Sequence, residues 1–305
     1  MDTRSLTPNQ RAWRRFCRNP SAFTSACLLA MLTLGLFLHP WFSNQSPTTL
    51  TDALAHPPST LHWFGTDLMG RDLLSRLVYG ARISMMVGLV GAGVSLFIGV
   101  LWGAVAGYVG GYCDGIMMRA VDILYSLPSV IFVIVMITTL EGLFKNWLLQ
   151  NFSPEAAGVA RLLFLFAGLG AVSWLTMARI VRGEVLSLRT RSFVDASRAM
   201  GASHTHILFT HILPNVAGVV IVYLTLTIPS VILYESFLSY LGLGIQAPQA
   251  SLGSLLAEGS AQINSLRLYW WMVVFPGLLL VVMLLTLNFI GDGLRDAFDP
   301  RSEKI

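Results

Sequence analysis

The chain has 305 residues, of which 54% are hydrophobic and only 12% charged, with a mean hydropathy of +0.66. Soluble domains carry about 25% charged residues, so this composition excludes an ordinary soluble protein and describes an integral membrane one. The formal charge of +4 does not point to nucleic acid, because the basic residues collect at the ends of apolar runs, where membrane topology requires them.

Residues 1–21 carry Arg4, Arg11, Arg14, Arg15 and Arg18 against a single acid, Asp2, which places this segment in the cytoplasm. Residues 22–42 form an apolar run long enough to cross a bilayer. No small-residue cleavage site follows it, so it reads as a retained span and not a signal peptide. Cys17, Cys27 and Cys113 lack metal-ligand spacing and read as reduced, structural thiols. Residues 43–82 are polar and are predicted outside. They hold Gly65-Thr66-Asp67-Leu68-Met69-Gly70-Arg71-Asp72-Leu73-Leu74-Ser75-Arg76, a glycine-rich turn feeding a short amphipathic helix with Leu73, Leu74 and Leu77 on one face. Its glycines lack P-loop spacing and no lysine follows them.

Residues 83–292 are predicted to hold five further spans. The second span, 83–109, contains Gly88, Gly91, Gly93, Gly99, Gly103 and Gly107, small residues that let helices approach closely in lipid. An inside turn over 110–119 leads to a third span over 117–140. Arg119 and Asp122 read there as a pair, or as groups snorkelling to the cytoplasmic surface. Ser126-Leu127-Pro128-Ser129 is expected to kink this span and free backbone carbonyls. An outside loop over 141–155 and a fourth span over 160–180 follow. That span ends at Arg179, Arg182, Arg189, Arg191 and Arg198, a second basic cluster and hence inside.

A polar island, 192–215, lies between two very apolar segments, within a cytoplasmic loop over 183–211. Ser192 and Asp195 have the spacing of a capping box. Gly201 follows where a C′ glycine stops a helix, and Arg198 sits in its last turn, favourable to the dipole. A second short helix is predicted over 203–211, with Pro214 at the start of the fifth span, 212–233. That span contains Pro229 and ends in Glu235-Ser236-Phe237-Leu238-Ser239-Tyr240-Leu241-Gly242-Leu243-Gly244. Glu235 there faces either a transport path or headgroup water. Another outside loop runs to about Leu268, with Glu258 and Arg267 its charged residues. The sixth span, 269–290, opens with interfacial Trp270 and Trp271, and the tail over 293–305 lies inside. The expectation is an all-α polytopic protein with six transmembrane helices and both termini cytoplasmic.

Asp195-Ala196-Ser197, three residues, Gly201, and later Ile212-Leu213-Pro214 resemble the EAA loop of bacterial ABC importer permeases. That pattern is Glu-Ala-Ala, three residues, Gly, then Leu-Pro after a gap; here Asp195 replaces the Glu and Ser197 the second Ala. The Gly65–Arg76 run resembles the N-terminal signature of the peptide-importer branch. With Trp174, Met177-Ala178-Arg179-Ile180-Val181-Arg182-Gly183, the Glu235–Gly244 run and Gly291-Asp292-Gly293-Leu294-Arg295-Asp296, the chain is similar to the second permease subunit of oligopeptide and dipeptide ABC importers, most of all the oligopeptide version.

The resemblance implies a type I ABC importer permease fold in a bacterial inner membrane. It implies a second homologous permease subunit, two ATP-binding subunits that hold the ATP, and an extracytoplasmic peptide-binding protein, with no cofactor, metal or nucleic acid bound by this chain. Asp195, Ala196, Arg198, Gly201, Leu213 and Pro214 are then the residues that couple to the ATPases. Pro128, Ser129, Asn215, Pro229 and Glu235 are candidates for the translocation path or its hinges. Dipeptides, nickel chelates and glutathione are alternative cargoes of such machinery.

The residues agree with that reading. The chain has no Gly-x-x-x-x-Gly-Lys-Ser/Thr for its own ATP hydrolysis, and few ionisable groups in its spans for an ion relay. A self-contained secondary transporter is the alternative of another class, but it predicts inverted repeats, which are not evident. An aspartyl protease built on Asp122 and Asp292 needs both carboxylates in one buried site, yet both map to cytoplasmic ends beside arginines. His204, His206 and His211 do not share one helical face and lack an acid or thiol to complete a metal site.

Overall fold

The computed structural model describes residues 8–43, 45–151, 154–245, 249–263 and 267–298. Its regular elements are helices: α1 Pro8–Arg18, α2 Pro20–Phe42, α3 Leu73–Val109, α4 Gly111–Ser126, α5 Ser129–Asn151, α6 Pro154–Leu188, α7 Ser192–Ala199, α8 His204–His206, α9 Leu213–Tyr240, α10 Leu252–Ser260 and α11 Trp271–Phe298. A π-helical turn, Ile207–Ile212, joins α8 to α9. Among the described residues four helices are long and apolar enough to cross a membrane: α2, α3, His204–Tyr240 and α11. Counting α4 with the start of α5 as one broken span makes five; these two are bent by 94° at Leu127-Pro128. Pro128 has no N–H to continue a helix and pushes Leu127 to extended backbone.

Several boundaries differ from expectation. The amphipathic turns at Leu73, Leu74 and Leu77 are not a separate helix but the beginning of α3, 37 residues long. The turn expected over 110–119 contracts to Gly110, at φ +71°, and α4 begins at Gly111, itself at φ +57°. Arg189 makes this short break tolerable, donating Nη1 to the carbonyls of Gly107 and Tyr108 that α3 leaves open at its end. Most of the loop expected over 141–155 is helical: α5 runs to Asn151 and α6 begins at Pro154. Leu143 and Trp147, and Phe144 and Leu148, recur at intervals of four and sustain the helical period. Similarly α10 lies in the loop expected before 268, and α11 continues to Phe298 through the expected start of the tail.

The chain folds as two compact units, one built on residues 90–228 and the other on 16–89 and 229–293. In the first, α3 presents Gly99, Gly103 and Gly107 to α6 at intervals of four. A Cβ at Gly103 would stand 2.4 Å from the carbonyl oxygen of Ala178, and one at Gly99 2.6 Å from Met177 Cβ. Only glycine admits helix backbones this close. Met177, Val181, Val185, Val194, Ile207, Ile212 and Val216 form a continuous buried cluster behind this contact. Trp174 packs edge-on against Trp102 at 5.2 Å.

In the second unit, Pro40 lies inside α2 and cannot donate to the carbonyl of Leu36, four residues back. Arg82 of α3 takes that place, donating Nε to the Leu36 carbonyl at 2.8 Å and Nη2 to the same oxygen. Its guanidinium also covers the Phe37 ring at 5.5 Å. A charge is thereby held at an apolar helix by a carbonyl that a proline left free.

Candidate functional site

The polar island forms a helical hairpin. Its first helix, α7, begins at Ser192 with Arg191 in the N-cap position and no side-chain cap. The expected Ser192–Asp195 capping box therefore does not form. The helix starts one residue too early for it: Ser192 is already inside the first turn, and the Val194 and Asp195 N–H groups donate to the Arg191 carbonyl. Asp195 is free of the backbone and accepts from Arg198 Nη1 at 3.2 Å. Val194 and Ser197 are buried and fix the inner face. Asp195 and Arg198 stay exposed, and Met200 is 80% exposed at the tip.

Gly201 ends α7 as expected, at φ +80°. Its N–H donates to the Arg198 carbonyl at 2.9 Å and that of Ala202 to the Ser197 carbonyl at 3.1 Å. This pair of bonds is a Schellman motif, which satisfies the last carbonyls of the helix. Ser203 then caps α8 by accepting from the His206 N–H at 3.3 Å.

The chain does not break again before the span, as a separate second helix would require. Helix runs from His204 to Tyr240. Its π turn absorbs Pro214: the Leu213 N–H donates five residues back, to Leu208. Asn215 Nδ2 donates to the His211 carbonyl at 2.6 Å. Leu213, Pro214 and Asn215 thus join the hairpin to α9 without a break in the helix. Tyr108, Arg189, Asp195, Arg198, His204 and Leu208 line an open cleft beside the hairpin, where the Tyr108 hydroxyl meets His204 Nδ1 at 3.0 Å. His206 and His211 instead meet each other edge-on at 5.7 Å.

Just before the hairpin, α6 holds α4. Arg182 donates to both carboxylate oxygens of Asp114, at 2.5 and 2.7 Å. Asp122 pairs with Arg179 at 2.8 Å and not with Arg119. Arg179 also lies over the Tyr125 ring at 4.0 Å. The segment Met177–Gly183 therefore alternates: Met177, Ala178 and Val181 are buried, while Arg179 and Arg182 fasten the helix that leads to the Pro128 break.

Glu235 reaches neither headgroup water nor an open path. It is 0% exposed. Ser84 of α3 donates to Oε2 at 2.8 Å, Ser239 to Oε1 at 2.7 Å, and Ser236 to Oε2 at 3.4 Å. Ser239 in turn accepts from the Ile245 N–H at 3.0 Å. Gly253 of α10 comes so close that a Cβ on it would stand 2.1 Å from the Ser236 carbonyl oxygen. The Glu235–Gly244 run is thus a hub for α3, α9 and α10.

The Gly65–Arg76 run is a second internal lock. Asp67 Oδ1 accepts from the N–H groups of Met69 and Arg71 at 2.8 and 2.9 Å. Its Oδ2 accepts from Arg71 Nε at 2.6 Å and Arg76 Nη1 at 2.7 Å. Arg76 continues to both oxygens of Glu258 on α10, at 2.5 and 2.9 Å. Asp72 Oδ2 accepts from the Ser75 N–H at 2.8 Å, and its Oδ1 meets His62 Nδ1 at 3.0 Å. Trp271, expected in an interfacial belt, is buried and donates Nε1 to the Thr66 carbonyl at 3.1 Å. The Asp67–Arg71 spacing of four was a usable signal for one of these pairs; nothing local pointed to Glu258.

Comparison with known proteins places this architecture. Residues 99–304, more than half of the chain, match the family described as binding-protein-dependent transport system inner membrane component. The chain belongs to that family. Residues 7–58 match the N-terminal TM domain of oligopeptide transport permease C. The chain is 44% identical to the oligopeptide transport system permease protein OppC of Haemophilus influenzae, over 96% of this chain and 88% of that one. It is 40% identical to OppC of Bacillus subtilis, over 99% and 92%, and 40% identical to the dipeptide permease DppC of the same organism, over 97% and 87%. Among solved structures, an inward-facing MetNI methionine ABC transporter matches with a TM-score of 0.55 at 21% identity, covering 74% of this chain and 97% of that one. A member of the binding-protein-dependent transport family with this fold is a multi-pass inner-membrane permease subunit of an ABC importer. Its helical architecture is the type I importer fold.

Proposed function

We propose that this chain forms, with a second homologous permease subunit, the path of an ATP-driven oligopeptide importer. Two ATP-binding subunits supply the energy and an extracytoplasmic binding protein supplies the peptide. The observation that carries the coupling part is the α7–α8 hairpin: its tip is exposed, its turn is fixed by Gly201, and its second arm runs without a break into α9. A partner that pulls on Asp195, Ala196, Arg198 or Met200 pulls on a whole span through Leu213 and Pro214. Closure of the ATPases on ATP then rocks α9 and switches access across the membrane, a rigid-body transition. Pro229 inside α9 and Asn215 at its start, with the break at Pro128-Ser129, are the hinges of that motion, and Glu235 holds the end of α9 beyond Pro229.

The basic segments at 1–21 and 179–198 support a cytoplasmic placement of both termini and of the hairpin. We read α6 as a further span, which makes six in all. The names of the relatives support peptide as cargo, and since one of them is a dipeptide permease, the preferred length is open to measurement.

The test is uptake of a labelled peptide series into vesicles holding this chain, its neighbouring permease, the ATPases and the binding protein. Accumulation that needs both this chain and ATP is the expected result, and the length preference defines the cargo. Uptake that persists without the chain, or that runs on a proton gradient without ATP, overturns the proposal.

A further inference from the structure

The helix α1 has no part in the mechanism above, yet its surface is strongly charged. Its eleven residues, Pro8–Arg18, contain four arginines and no acid. Ala12 and Phe16 are buried, at 6% and 5% exposure, and fix the face turned to protein. Arg11, Arg14 and Arg18 are all exposed. Their spacing of three and four residues sets them in one row, on the side of the helix away from Ala12 and Phe16. Among the described residues no carboxylate pairs with these three. Trp13, beside the row, is 65% exposed.

What lies against this row follows from the chain. Only Asn19 separates α1 from α2, and Asn19 caps α2 by accepting from the Ala22 N–H. α2 is a candidate span that keeps most of its surface free of contact with the rest of the chain. At about 1.5 Å per residue, all of α1 lies within roughly 16 Å of the start of that span. The nearest extended anionic surface is therefore the headgroup layer of the bilayer itself. Guanidinium groups bind phosphate in two-pronged fashion, long side chains reach headgroups readily, and an indole ring favours the same depth. We propose that α1 lies along the membrane surface and that Arg11, Arg14 and Arg18 bind the phosphates of anionic phospholipids. This goes beyond a topology signal, because it assigns the three side chains a ligand, lipid phosphate, and not only a side of the membrane.

Cys17, exposed on the same helix, offers a reporter. The full-length chain, with Cys27→Ser and Cys113→Ser, would carry an environment-sensitive fluorophore on Cys17 in nanodiscs of phosphatidylcholine with rising phosphatidylglycerol. The expected result is a saturable spectral shift with phosphatidylglycerol. The variant with Arg11→Gln, Arg14→Gln and Arg18→Gln should need far more of it, roughly a hundredfold weaker apparent affinity, since each basic residue near an anionic surface contributes about a factor of five. Replacing the same three residues by lysine should restore most of the response. A shift that is the same in pure phosphatidylcholine, or that the glutamine variant retains, overturns the proposal. So does a fluorophore that responds to an added ATPase subunit but not to the anionic lipid, which would make the row a protein contact. The readout needs neither ATP nor peptide, so its failure is distinguishable from failure of the importer reading.

Discussion

Among the described residues the Asp195 carboxylate meets one partner, Arg198, in an exposed ion pair at 3.2 Å. Such pairs contribute about 0–1 kcal/mol. Asp195→Ala should therefore leave the thermal unfolding of the purified chain nearly unchanged, while ATP-driven uptake falls and Asp195→Glu retains it. Equal loss of uptake and of folded protein would show that Asp195 serves the fold alone. Gly201 has the opposite character. A Cβ there meets no atom within 4 Å, so substitution is opposed by the positive φ and not by space. Gly201→Ala should cost about 1–2 kcal/mol and Gly201→Asn less, because asparagine tolerates the left-handed region; thermal unfolding of the two variants gives the order. The glycine was legible in the sequence because few residues adopt that backbone. The capping box was not: Ser-x-x-Asp also fits a helix that begins one residue earlier, and main-chain bonds to Arg191 decided between the two.

At the scale of helices, two contacts make sharp comparisons. Gly103 and Gly93 are both on α3, but a Cβ at Gly103 would stand 2.4 Å from the Ala178 carbonyl oxygen, whereas one at Gly93 meets nothing within 4 Å. Gly103→Ala should lower the unfolding temperature of the purified chain strongly and Gly93→Ala hardly at all. The sequence showed that α3 is rich in glycine; it did not show which glycines face a partner, since that depends on the rotation of the helix. The second contact joins Pro40, Leu36 and Arg82. Arg82→Ala leaves the Leu36 carbonyl without a donor in an apolar setting, at a cost of about 1–3 kcal/mol. Pro40→Ala returns a backbone N–H to that carbonyl. Arg82→Ala should then cost less in the Pro40→Ala chain than in the parent, and equal costs in the two backgrounds would show that the proline does not create the need for the arginine.

Across the whole chain, apolar length was the readable quantity and long-range pairing was not. The four helices long and apolar enough to cross a membrane each coincide with an apolar run of the sequence, whereas Arg76 and Glu258 are 182 residues apart and Ser84 and Glu235 are 151 apart. No local period announces such pairs. Loops were overestimated for the same reason: one charge in an apolar run, such as Glu141 or Lys145, suggests an exit from the membrane, while the backbone continues its helix. The Glu235 hub gives this scale its test. Its carboxylate accepts from hydroxyls on α3 and α9, and α10 packs on the adjoining Ser236 carbonyl. Glu235→Ala removes the shared acceptor and leaves at least two buried hydroxyls unpaired, at about 1–3 kcal/mol each. Glu235→Gln keeps one carbonyl oxygen as acceptor and should fall between Ala and the parent. If α9 moves as a body fixed at this end, ATP-driven uptake follows the same order: parent, Gln, Ala. Uptake unchanged in a folded Glu235→Ala chain would mean that the end of α9 need not be held, and that the motion begun at the hairpin is absorbed before it, at Pro229.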